Sequence, residues 1–160
     1  MKRSHLLNVA AMTALALAAL PDGVSGQHMG EHRFILPQNI KWVPAPPSFP
    51  SGALVALLYG DPAKEGLFVL RMKVPKDYYI PPHKHPKPEI VTVISGTTRI
   101  GMGTIADRGA AQAMSAGSFF ALSPGVAHYV FADDDTVVQI NTTGPWGISY
   151  VDPKNDPRQK

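Results

Sequence analysis

Two of the chain's six histidines, His83 and His85, stand two positions apart in the stretch PPHKHPKPEIVTVISG, residues 81–96. In an extended strand alternate residues share a face, so both imidazoles point one way and Lys84 points the other. Two imidazoles on one face have the spacing of metal ligands, although the pair alone is as well explained by solvated histidines on a rim. Glu89 follows after Pro86 and Pro88, which interrupt any ladder and make strand parity unreliable there. The detour is still short enough to bring the carboxylate to the same point. The surrounding prolines also reduce the chain entropy lost when the groups converge. A second stretch, GSFFALSPGVAH, residues 117–128, carries the turn Ser123-Pro124-Gly125, which delivers His128 to the start of a following strand.

Taken together, the two stretches resemble the two short motifs of the cupin superfamily. The first, G-x5-H-x-H-x3,4-E-x6-G, is matched by His83, His85, Glu89 and Gly96, with Asp77 where the leading glycine would stand. The second, G-x5-P-x-G-x2-H-x3-N, is matched by Gly117, Gly125 and His128. It departs at Ser123, with a proline one residue later, and at Ala132 in place of asparagine. The resemblance covers about the last two thirds of the chain. It implies an all-β, double-stranded β-helix (jelly-roll) barrel with a metal in its mouth, held by His83, His85, Glu89 and His128. Three neutral imidazoles and one carboxylate suit one divalent transition metal ion, Fe, Mn, Ni, Co, Cu or Zn, without choosing among them. In a six-coordinate ion that set leaves two positions open. With no cysteine in the chain, Cu(I) and iron–sulfur centres are disfavoured.

The elements that must position these groups read as short β-branched or aromatic runs between turn residues. Residues 53–59 and 67–74 form a hairpin around GDPAKEG, and residues 90–94 and 97–102 form another around Ser95-Gly96. Further runs cover 118–122, 127–131, 136–141 and 147–151, while 103–114 reads as a connection holding a helical turn. About eight short strands predict an antiparallel sandwich or closed barrel, a fold that removes exposed strand edges. The expected boundaries are a signal peptide over 1–26, an extended arm over 27–52, a barrel over 53–153 and a tail over 154–160.

The signal assignment rests on Lys2 and Arg3 before an apolar run from residue 6 to 20 and small residues near Gly26. That run is short for a membrane span, which needs about 20 apolar residues, so no integral membrane segment is expected in the mature chain. An exported, periplasmic or secreted protein is the expectation. Cleavage after Gly26 would remove Lys2, Arg3 and Asp22 from 15 basic and 12 acidic side chains, leaving 13 against 11. So small a balance argues for no nucleic-acid partner. The prolines between Val43 and Gly52 cannot ladder, and the arm, with Trp42, is expected to pair two copies into a homodimer.

Other residues carry weaker expectations. Met72, Phe68, Met102, Phe120, Tyr129, Gln139 and Asn141 are placed as core or pocket lining. Gln139 or Asn141 could hydrogen-bond a ligand histidine, and Arg71 or Arg99 could supply pocket polarity. Trp146 in GPWG reads as a packing anchor. His28 and His32 fall in an exposed tail, Gly101–Gly103 at a hairpin turn and residues 133–135 at a solvated tip. No serine sits in a Gly-x-Ser-x-Gly elbow, which argues against a serine hydrolase.

For function, the resemblance favours a dioxygenase acting on a small oxygenated substrate, with Glu89 as a catalytic group that loosens from the ion or accepts a proton. It equally allows an isomerase or lyase, in which the ion stabilises an enolate. The alternative is a non-catalytic module holding metal or a small ligand.

Overall fold

In the computed structural model, which describes residues 32–159, the β-branched and aromatic runs become eleven strands. These are β1 (Val43–Pro44), β2 (Leu54–Tyr59), β3 (Gly66–Val74), β4 (Tyr79–Lys84), β5 (Glu89–Ser95), β6 (Thr97–Met102), β7 (Gln112–Ser115), β8 (Phe119–Leu122), β9 (His128–Ala132), β10 (Thr136–Gly144) and β11 (Ser149–Tyr150). They form two antiparallel sheets, in the orders β1-β2-β3-β10-β5-β8 and β11-β4-β9-β6-β7. Consecutive strands repeatedly cross from one sheet to the other, the signature of the expected jelly roll. Among the described residues, helical elements are confined to three short 3-10 turns at residues 37–39, 153–155 and 157–159. Among the described residues no helix is long and apolar enough to cross a membrane. The expected signal peptide over 1–26, and His28, lie outside the described residues.

The sheets close because alternate residues of each strand turn inward. On β3, Phe68, Leu70, Met72 and Val74 are buried while Leu67 and Lys73 face out. Val91 of β5, Ile140 of β10 and Ile80 of β4 meet them from other strands. Phe68 is wholly buried, and emptying such a site costs about 3–5 kcal/mol.

Three local details go beyond the sequence reading. The segment 103–114 holds a single helical turn, closed by the Ala111 N–H on the Asp107 carbonyl at 3.1 Å, and its last residues open β7, which pairs with β6 from Thr97↔Ser115 to Ile100↔Gln112. The alternation Gln112-Ala-Met-Ser is weakly apolar, and pairing with β6 decides it. The proline-rich stretch does enter a sheet, for two residues, as β1 at the edge beyond β2. Edge position is what lets Pro44 join a ladder without an N–H. Finally, β4 forms despite Pro81 and Pro82. The ladder to β9 is irregular between Ile80 and His83, where the two prolines stand, and resumes at His83↔His128.

Turn chemistry explains one departure from the motif pattern. Asp77, which occupies the leading-glycine position, has φ +62°, the one positive value at a non-glycine among the described residues. Aspartate tolerates the left-handed region better than most side chains, so the turn survives the replacement. Gly96, between β5 and β6, has φ +77°, and a Cβ there would stand 2.5 Å from the Asp135 carbonyl oxygen. Only glycine fits that turn.

Candidate metal centre

The two histidine stretches are placed by the β4–β9 ladder and by one further bond. His83 lies on β4, His85 one residue past its end, and His128 is the first residue of β9. The Gly125 N–H donates to the His85 carbonyl at 2.8 Å, so the Ser123-Pro124-Gly125 turn is tied to the first stretch. Glu89 opens β5 in the opposite sheet, where the Thr142 hydroxyl donates to the neighbouring Pro88 carbonyl. Both sheets thus contribute to a single point.

All four side chains are nearly sealed from solvent, with His128 1% exposed and Glu89 8%. One ligating nitrogen from each of His83, His85 and His128 lies within 4.8 Å of the other two. The second ring nitrogen of each is committed to a main-chain carbonyl. Nδ1 of His83 bonds Pro81 O at 2.7 Å, that of His85 bonds Gly147 O at 2.6 Å, and that of His128 bonds Val126 O at 3.2 Å. A carbonyl only accepts, so each Nδ1 carries a proton, and in the neutral ring Nε2 is left to present its lone pair. Burial is the main force holding the pKa of His83 well below the ordinary imidazole range, with His128 and His85 adding to it. His85 is also lowered, mainly by burial, against an opposing pull from Glu89.

The carboxylate set against these rings poses an electrostatic problem that a cation solves. Glu89 Oε2 lies 3.1 Å from His128 Nε2, and Oε1 lies 3.6 Å from His85 Nε2. The His128 nitrogen is buried and has no hydrogen-bond partner. A lone pair facing a carboxylate oxygen at that distance is repulsive unless a proton or metal ion sits between them. The three-histidine group could therefore hold a metal ion, and its donors suit a divalent transition ion.

Sequence reasoning missed the aromatic wall around this group. Trp146 stacks on His85, with centroids 4.4 Å apart and planes 11° from parallel, and Tyr150 lies 6.1 Å from His83. Trp146 also contacts Phe49 and Phe68, so it is the expected packing anchor and a neighbour of the site as well. The sequence signal was only an aromatic in a tight turn. Its contact with His85 spans the length of the barrel's second half and has no local signature.

Other expectations separate. Gln139, Asn141 and Arg71 sit on the outer face, because Val138, Ile140 and Thr142 take the inner positions of β10. There Arg71 Nε donates to Gln139 Oε1 at 3.1 Å, and neither reaches a histidine. Arg99 pairs with Asp133, while Met102 is exposed. Tyr129 is buried, but its hydroxyl is directed to the Asp107 carbonyl. Met72 and Phe68 face inward, as expected.

Comparison with known proteins agrees with the fold. Residues 70–142 match the family described as Cupin domain. The fold is shared with the polyketide cyclase RemF from Streptomyces resistomycificus, at TM-score 0.63 and 15% identity, covering 81% of this chain and 92% of that one. A putative acetylacetone dioxygenase from Methylibium petroleiphilum aligns with TM-score 0.60 and 17% identity over 79% of this chain and 85% of its own. KdgF from Halomonas sp. aligns at 0.56 and 17%, over 71% and 94%. At these identities the likeness is one of fold. No curated protein matches the chain.

Proposed function

From the premise that the chain carries a cupin domain over residues 70–142, we propose that it is an exported metal-dependent enzyme acting on a small oxygenated molecule, with dioxygenase chemistry favoured. The observation that carries the reading is the convergence of three pre-oriented imidazoles on a buried carboxylate. His83, His85 and His128 would hold the ion through Nε2, with Glu89 as the fourth ligand. The ion would supply Lewis acidity and, if redox-active, electrons for reaction with dioxygen.

The protein's own contribution is orientation and exclusion of water. The Nδ1 bonds fix each imidazole's tautomer and direction before any ligand arrives. Trp146 and Tyr150 cover the histidines and keep the surrounding dielectric low. Glu89 has two oxygens facing two different histidines, so one can accept a substrate proton while the other remains engaged. The putative acetylacetone dioxygenase of the same fold supports an oxygen-consuming reaction, and the named polyketide cyclase supports a redox-neutral one. The near-complete burial of the histidines favours a second reading, a protein that holds metal without turnover.

Metal analysis of protein recovered from its native compartment, followed by dioxygen uptake against diketones, phenols and hydroxy acids, separates these readings. Uptake supports the oxygenase. Bound metal without uptake or conversion of any compound leaves the holding role, and absence of metal removes both. Immunodetection of the processed chain outside the cytoplasm tests export.

A further inference from the structure

A cavity of about 290 Å3 lies beside the histidine cluster and shares a wall with it. That wall is the Trp146-Gly147-Ile148 segment. Trp146 stacks on His85, the Gly147 carbonyl holds His85 Nδ1, and all three residues line the cavity. From the other sides come Phe49 of the N-terminal arm, Leu57 of β2, and Leu70 and Met72 of β3. No charged side chain lines it.

The wall is built to stay in place. The Trp146 main-chain N–H donates to the Pro62 carbonyl at 2.8 Å, so the β2–β3 loop carries both Trp146 and another part of the cavity rim, Ala63. The Tyr150 hydroxyl bonds the Ser48 carbonyl at 2.9 Å, which ties the arm to the strand beside His83.

We propose that this cavity is a binding site of its own for an uncharged, apolar molecule, a single ring or short branched chain, with Trp146 as the wall it shares with His85. Size supports the ligand class. A cavity of about 150 Å3 holds benzene, and pockets for drug-sized ligands begin at about 300 Å3, so this one suits a ring with a few added atoms. Chemistry excludes the opposite class, because a carboxylate or phosphate placed here would lose its hydration and gain no cation. Met72 gives the floor an adaptable side chain that follows differences in ligand shape.

The test uses fluorobenzene, which cannot ligate a metal, observed by 19F NMR with the full mature chain, once metal-loaded and once chelator-treated. The expected result is saturable line broadening in both forms. In a Trp42→Phe background, saturation should also change the emission of the remaining Trp146. Leu57→Asp and Ala63→Leu, both at solvent-exposed positions on the rim, should each weaken binding about tenfold or more, the first by placing a carboxylate against the ring and the second by filling space. Circular dichroism establishes that both variants fold. Absence of saturable binding in the chelator-treated protein, or equal binding by wild type and both folded variants, would overturn the proposal. So would a response that disappears with rising protein concentration as the mass doubles in light scattering, since a second copy would then fill the cavity. Failure of the metal reading is seen separately, as absence of bound metal with fluorobenzene binding intact.

Discussion

His83 and His128 stand directly opposite one another on β4 and β9, with ring centroids 4.1 Å apart. Their juxtaposition depends wholly on the ladder between two strands distant in sequence, so the site should exist in the folded chain and not in the unfolded one.

Metal should consequently stabilise the protein. An ion that binds only the native state contributes roughly 4 kcal/mol at about a thousand times its dissociation constant. Calorimetric melting with added Mn, Fe, Co, Ni, Cu or Zn should show a higher Tm for at least one ion, reversed by chelator. A melting temperature indifferent to all six and to chelator would remove the metal centre.

Substitution should divide the ligands from their surroundings. Ala at His83, His85 or His128 should each abolish stoichiometric metal while leaving a folded barrel, at a stability cost of about 1–3 kcal/mol from the bond lost to a buried carbonyl. Glu89→Gln keeps the shape and removes the charge. If the carboxylate is a required ligand, metal content should fall as far as in the histidine variants. Retained metal with lost turnover would instead assign Glu89 to proton transfer.

Acid should destabilise the metal-free protein before its carboxylates titrate. His83 and His85 are held below the ordinary value of 6.5 in the fold, so between their lowered values and 6.5 the unfolded chain binds more protons than the native one. Stability then rises with pH across that window and falls as pH drops through it. Urea midpoints of chelated protein should fall from pH 7 to pH 5, and His83→Asn should flatten the slope. An unchanged slope would show that His83 does not govern it.

Gly144 should prove essential to the aromatic wall. A Cβ there would stand 2.1 Å from the Lys64 carbonyl oxygen and 2.9 Å from that of Pro62, the acceptor of the Trp146 N–H. Gly144→Ala should cost more than about 1 kcal/mol and weaken the near-ultraviolet dichroism of Trp146, because backbone carbonyls cannot swing aside as a side chain can. A wild-type spectrum and Tm would show that the loop yields freely.

The barrel and its histidine pair were legible because both depend on short-range regularities. Alternation marks the strands, and His83 and His85 share a face through the same period of two. Positions decided by long-range pairing were not. Gln112–Ser115 becomes a strand only because β6 offers it an edge. Gln139 and Asn141 share a parity, as the sequence implied, but which face that parity occupies is settled by Ile140 entering the core. Trp146 meets His85 through the return of the last strands over the barrel mouth, which no window of sequence contains.

The main-chain carbonyls that hold the three Nδ1 protons have an electrical consequence. Had carboxylates held them, each would have added a negative charge to the centre. As built, Glu89 is the one acidic side chain in contact with the imidazoles among the described residues, and the Asp156 carboxylate nearer Tyr150 is paired with Arg158. A divalent ion in this cage would therefore retain a formal charge of about +1. Such a centre would favour a monoanionic co-ligand over a neutral one, and a weakly acidic ligand would give up a proton on binding there. Counted by calorimetry in buffers of different ionisation enthalpy, that proton would report the charge of the cage itself.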